Sequence, residues 1–188
     1  MEEQSASRAS AAIGSMIFSI FGSAWLIAWS FKSFGVRPIL WGLIAILGMS
    51  IFLAAVRQFK RNQAAHAAES DSPESKRSSR VFNIVNIGQG VAILVAVNVT
   101  NNIGHKEWFI PAFIFIIGAH FLPLAVVFKA TRHYVTGFAM ILLAVLYPHF
   151  ANGGGANPVG CLGTGLILWA SAITGLLSKV SAPARSKG

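Results

Sequence analysis

The sequence is poor in charge, in acidic residues and in cysteine. Only 11% of its 188 residues are charged, whereas 54% are hydrophobic. A soluble domain of this length needs more charged surface, so the composition excludes an ordinary soluble globular protein. The single cysteine, Cys161, excludes an intramolecular disulfide bond.

The sequence also lacks the short motifs that carry catalysis. It contains no P-loop, no zinc-protease His-Glu-x-x-His, no Gly-x-Ser-x-Gly and no paired acids. The spacing of His105, Glu107 and His149 is not diagnostic of a metal site, although these residues could meet on one surface. We therefore expect no catalytic residue, no cofactor, no bound metal and no enzymatic activity.

Six apolar runs of 18 to 21 residues contain no Asp, Glu, Lys or Arg. At about 1.5 Å per helical residue, each run can cross a hydrocarbon layer of roughly 30 Å. The first run is too long for a typical signal sequence, so we expect it to be retained. The pattern predicts an all-α bundle, a single multi-pass membrane domain over residues 1–188. Its spans are Ala11–Phe31, Pro38–Val56, Phe82–Thr100, Trp108–Phe128, His133–Phe150 and Pro158–Leu177.

The basic residues lie mainly on one side of these spans. Twelve of the 15 Lys and Arg fall on the side of both termini, and only Lys32, Arg37 and Lys106 fall on the other. By the positive-inside rule, both termini are cytoplasmic. The net charge of +9 then indicates contact with the bilayer and not with nucleic acid. We expect residues 57–80 to form a flexible cytoplasmic loop whose basic ends lie against anionic headgroups.

Small residues recur every four positions along the first span, at Ser15, Ser19 and Ser23. The sixth span offers Gly160 and Thr164. Such positions let membrane helices approach closely. The pattern predicts helix packing, either within the bundle or against a partner, which could be a second copy of the chain.

The third span is rich in carboxamides. On a helix, five of its residues fall within about 60° of one line, and Gln89 lies on the flank. The five are Asn83, Asn86, Gly90, Asn98 and Asn101. Because carboxamides are costly in hydrocarbon, this face should point into the bundle or at water. It would either form interhelical hydrogen bonds or line a site for an uncharged solute.

His120 is the only ionisable His, Asp, Glu, Lys or Arg deep inside any span. Gln89 lies at a similar depth on the neighbouring span, and Pro123 removes the donor that would pair with the Ala119 carbonyl. A binding site formed by Asn86, Gln89, His120 and Pro123 is one interpretation. The other is a neutral, hydrogen-bonded histidine that orients two helices.

The fourth span and its surroundings read Trp108-Phe-Ile-Pro111, then Gly118-Ala-His-Phe-Leu-Pro123, followed by a basic turn and Tyr134. This stretch resembles a segment of small bacterial inner-membrane proteins of unknown activity that carry Gly-x-His-Phe-x-Pro. The resemblance covers about 30 of the 188 residues. It implies a six-span protein of a bacterial cytoplasmic membrane, and it singles out His120 and Pro123.

Two functional hypotheses follow. The first is binding or passage of a small uncharged molecule at the polar intramembrane site. The second is an accessory or scaffolding protein that binds another membrane protein through helix contacts of the small-residue stripe.

Overall fold

The computed structural model describes residues 2–70, 73–128 and 130–177. These residues form six α-helices and two short 3₁₀ turns, without a strand in the described part of the chain. The helices are α1 Glu2–Phe34, α2 Pro38–Ser70, α3 Pro73–Asn102, α4 Phe109–Val127, α5 Thr131–Phe150 and α6 Val159–Leu177. The 3₁₀ turns are Lys106–Trp108 and Gly154–Ala156.

All six helices are long and apolar enough to cross a membrane. The predicted all-α, six-span architecture is therefore confirmed. The side of the membrane on which the termini lie stays a prediction, and residues 178–188, with three of the counted basic side chains, lie outside the described residues. Lys129 also lies outside them.

The prediction of a flexible loop over residues 57–80 is wrong. Helix α2 continues to Ser70 and α3 begins at Pro73, so only Asp71 and Ser72 fall outside the described residues there. Alanine, glutamine, lysine and arginine dominate the extension of α2, and all four have high helix propensity. Low hydrophobicity marked the end of the membrane span but not the end of the helix.

The turn between α1 and α2 is tight and spans only residues 35–37. Helix α1 ends at Phe34, and Gly35 adopts a left-handed conformation with φ of 72°. Its N–H donates to the Phe31 carbonyl at 2.9 Å, which closes the last turn. Helix α2 then begins at Pro38, where the missing N–H costs no helical hydrogen bond.

The helices form a row of packed neighbours in the order α2, α1, α6, α5, α4, α3. The shared core is built from four of them, α1, α4, α5 and α6. Its largest members include Phe18, Trp25, Phe121 and Met140. Helices α2 and α3 form the two flanks, and no residue in the most apolar 18-residue stretch of α3 is buried.

Two glycine-to-glycine crossings hold the row together. In the α4–α5 crossing, a Cβ added to Gly118 would lie 2.9 Å from the Gly137 carbonyl oxygen. In the α1–α6 crossing, a Cβ added to Gly165 would lie 3.0 Å from the Gly22 carbonyl oxygen. Because membrane helices associate through close packing, these contacts fix which helices are neighbours.

Candidate functional site

His120 lies in the seam between α4 and α3. Its side chain is half-buried, and its imidazole interacts with the backbone of Val85 on α3. Its Nδ1 is fully buried and has no hydrogen-bond partner among the described residues. An unpartnered buried polar atom is costly in a membrane protein, so this nitrogen requires an explanation.

The part of α3 that faces α4 carries two of the predicted carboxamides. Val85, Asn86 and Gln89 are half-buried and occupy neighbouring positions on one side of the helix. Val85 also packs against the shared core. Asn86 and Gln89 therefore lie on the half-buried side of α3, next to the Val85 position whose backbone neighbours His120.

The remaining carboxamides of α3 lie elsewhere. Asn83, Asn98 and Asn101 are exposed, and the Asn98 side chain donates to its own Leu94 carbonyl at 2.8 Å. The α3 carboxamides that the helical projection placed on one face are therefore partly half-buried and partly exposed on the surface of the bundle. Helical geometry fixed the angles within α3, but only the position of α4 decided which part of the row is covered.

Two further details concern Gln89 and Pro123 of the predicted site. Among the described side chains, no hydrogen bond joins Gln89 to His120, although they share the seam. Pro123 is exposed, and α4 continues through it to Val127. Pro123 therefore contributes through the donor that it removes from the helix, and not through a side chain in the seam.

Sequence reasoning missed a second polar group, His133. This residue begins the membrane part of α5 and is only 7% exposed, with an unpartnered Nδ1. Its ring stacks on Phe121 at a centroid distance of 5.9 Å and meets Phe18 edge-on at 6.1 Å. His120 contacts the same Phe121 ring at 5.8 Å, so both histidines border one aromatic side chain. In the sequence, the position of His133 next to a basic turn gave no indication that its side chain would be buried.

Arg132 was counted from the sequence as a surface charge, but its guanidinium reaches between α1 and α6. A Cβ on Gly175 would lie 2.6 Å from its Nη1, and one on Gly14 would lie 3.3 Å from its Nη2. Thr136 of the next turn donates to the Arg132 carbonyl and shares a 2.6 Å hydrogen bond with Ser171. The end of the core that is nearest the chain termini therefore contains polar as well as apolar side chains.

The predicted packing residues lie inside the bundle. Ser15 donates to the Ala172 carbonyl at 2.9 Å, and Trp169 donates to the Ser19 carbonyl at 3.3 Å. Ser23 lies against Gly48 of α2. On α6, Gly160 lies against the Tyr147 ring, and Thr164 donates to the Gly160 carbonyl. These positions serve contacts of α1 and α6 within one chain.

The outer-surface histidines do not gather into a metal site among the described residues. His105 and Glu107 pair at 2.8 Å, whereas His149 packs near the Trp108 ring at 6.5 Å. Of the two best-defined cavities, a shallow one of about 280 Å³ lies beside Trp108 and His149. The other, of about 450 Å³, lies between α1, α2 and α6. Neither is lined by His120.

Comparison with known proteins adds no assignment. None of the family models, curated proteins or solved structures compared with this chain matches it. The function has to be argued from the chain's own residues.

Proposed function

We propose that this multi-pass membrane protein binds a small, uncharged, hydrogen-bonding molecule in the seam between α3 and α4. The single observation that carries the proposal is the buried, unpartnered Nδ1 of His120. A ligand with a donor or acceptor would satisfy this atom, and the half-buried carboxamides of Asn86 and Gln89 would supply further hydrogen bonds. The proposal places the protein in a bacterial cytoplasmic membrane and assigns it no catalysis.

The packing of α3 supports a site that opens and closes. Helix α3 packs mainly on α4, and it meets the shared core only through the half-buried Phe82 and Val85. A helix held by one neighbour can move at lower cost than one buried on several sides. The proposal is limited to binding, because the two described cavities border other residues.

A thermal-shift screen of the purified protein against small amides, polyols and heterocycles tests the proposal. A compound that binds only the folded state raises the unfolding temperature by mass action. We expect at least one such compound, with at least tenfold weaker binding to His120→Leu and to Gln89→Leu. Asn98→Leu is the matched control, because Asn98 lies on the same helix but outside the seam. Equal binding to all three variants, or no stabilising compound, would refute the proposal.

A second candidate function, helix-mediated association, is favoured by the outer face of α3. The serine stripe of α1 is occupied within the chain, so a partner surface has to lie elsewhere. On this face of α3, a Cβ added to Gly90 would meet no atom within 4 Å. The exposed carboxamides near both ends of this face can donate and accept, so they suit the same face of a second copy.

Cysteine cross-linking tests this second candidate. In a Cys161→Ser background, Gly90→Cys should form a disulfide-linked dimer in membranes if two α3 helices meet. Gly42→Cys on α2 is the control, since Gly42 also has open space around it. Equal cross-linking at both positions, or none at Gly90→Cys, would exclude this interface.

A further inference from the structure

The larger cavity lies where three helices leave the apolar layer. It has a volume of about 450 Å³ and is lined by residues of α1, α2 and α6. Arg57 follows directly after the apolar run that ends at Val56, and Leu177 is the last residue of α6. The cavity therefore lies at the level where a phospholipid phosphate meets the hydrocarbon.

The walls of this cavity carry three positive charges. Arg57 and Arg61 are four residues apart and so share one face of α2, and Arg8 of α1 lines the same cavity; all three side chains are exposed. Among the described residues, no acidic side chain lines the cavity and none of these arginines has an ion-pair partner. Three like charges around one space repel each other, and a bound anion removes that repulsion.

The arginine cavity, meaning the space between Arg8, Arg57 and Arg61, also has a defined shape. Gln58 donates from Nε2 to the Arg8 carbonyl at 3.4 Å, which links α1 to α2 beside the arginines. Asn62 donates to the Gln58 carbonyl at 2.7 Å. Both carboxamides line the cavity. The arginines therefore project from two helices that are joined at this level.

We infer that the arginine cavity is a binding site for a phosphate-bearing anion. The planar guanidinium group binds phosphate through two parallel hydrogen bonds, and several arginines on one phosphate give both charge balance and geometry. Basic pockets between membrane helices take anionic headgroups in the same way. The phosphate can belong to a lipid or to a soluble phosphorylated compound. This inference does not rest on the proposed function, because no residue is common to the two sites.

The test measures binding to the full chain in a neutral detergent at constant ionic strength. Three probes are compared by the rise in unfolding temperature with concentration. They are dioctanoyl phosphatidylglycerol, dioctanoylglycerol as its phosphate-free counterpart, and glycerol 3-phosphate as the phosphate without acyl chains. We expect phosphatidylglycerol to bind at least tenfold more tightly than dioctanoylglycerol. If glycerol 3-phosphate binds within tenfold of phosphatidylglycerol, the source is a soluble compound, and otherwise it is a lipid.

Charge-matched variants separate the cavity from general basicity. Arg57→Gln/Arg61→Gln removes two charges that line the cavity, whereas Lys76→Gln/Arg77→Gln removes two equally exposed charges at the start of α3, outside the cavity. We expect the first variant to weaken phosphate binding at least tenfold and the second less than twofold. The unfolding temperature without probe establishes that each variant folds. Equal losses in the two variants, or no preference of the wild type for phosphate, would overturn the inference.

Discussion

At the residue scale, two histidines of α4 and α5 are among the buried polar groups that lack a hydrogen-bond partner among the described residues. His120 and His133 each bury an unpartnered Nδ1. Hydroxyl groups of the same core behave differently, since Ser15, Thr136 and Ser171 all form hydrogen bonds. A hydroxyl can return to a carbonyl of its own helix, as in Ser15 and Thr136, whereas an imidazole needs a partner at a defined distance and direction. The buried hydroxyl of Ser30 is an exception, since it has no partner among the described residues.

The first prediction concerns His120→Leu. Leucine has a similar volume and no polar atom, so the variant removes an unsatisfied nitrogen from the seam. We expect the free energy of unfolding without ligand to rise by about 1 kcal/mol, since an unsatisfied buried group costs roughly 1–3 kcal/mol. Unfolding in mixed micelles of increasing denaturing detergent measures the change.

The control for this prediction is Asn98→Leu, at an exposed position of α3. We expect its free energy of unfolding to stay within about 0.5 kcal/mol of the wild type. A clear loss of stability in His120→Leu, with Asn98→Leu unchanged, would show that His120 holds the helices together and is not an unsatisfied binding group.

At the element scale, glycines allow the closest backbone approaches between helices. Gly118 and Gly137 bring the backbones of α4 and α5 together, and Gly22 and Gly165 do the same for α1 and α6. Helix α3 has open space around Gly88. Its glycines therefore do not add to packing within the chain, which agrees with its position on the flank.

The second prediction tests the α4–α5 crossing. In Gly118→Ala, the new Cβ would lie 2.9 Å from the Gly137 carbonyl oxygen, so the two helices have to separate. We expect the free energy of unfolding to fall by about 1–3 kcal/mol, as for other overpacked cores. The same detergent titration measures the loss.

Gly88→Ala is the matched control, because its added Cβ meets no atom within 4 Å. We expect it to be neutral or slightly stabilising, since alanine has the higher helix propensity. If Gly118→Ala proves as harmless as Gly88→Ala, the crossing is not a determinant of stability.

The sequence predicted the positions of the helices better than it predicted which helices pack against each other. The apolar runs located all six helices, because a chain segment in hydrocarbon has to satisfy its backbone hydrogen bonds internally. The helical extension of α2 over residues 57–70 was missed, since hydropathy reports on the bilayer and not on helix propensity. Asn83 and Asn86 looked equivalent, yet α4 covers only the side of α3 that carries Asn86.

At the scale of the whole molecule, the position of the arginine cavity can be compared with the distribution of basic residues across the membrane. The arginine cavity lies on the side where 12 of the 15 basic residues occur in the sequence. A cavity for a phosphate-bearing anion on this side would face the anionic lipids and soluble phosphates of the cytoplasm if the positive-inside rule holds.

The third prediction is the orientation of the molecule. In a Cys161→Ser background, a membrane-impermeant maleimide added to intact cells should label Ser33→Cys and Asn152→Cys. It should label Ser7→Cys and Gln63→Cys only after the membrane is broken. All four positions are exposed in the structure. The reverse pattern would place both termini outside and would contradict the charge argument.

Hydropathy and charge along the chain were sufficient to predict a bilayer environment, six spans and an excess of basic residues on one side. These properties depend on one segment at a time, since each span is read from its own hydropathy. Contacts between helices became known only from the folded chain: Arg8 lines one cavity with Arg57 and Arg61, Arg132 reaches between α1 and α6, and the α1 serines are covered. The physical reason is that helical periodicity fixes directions within a helix, whereas packing at a few glycines fixes which helix lies in each direction.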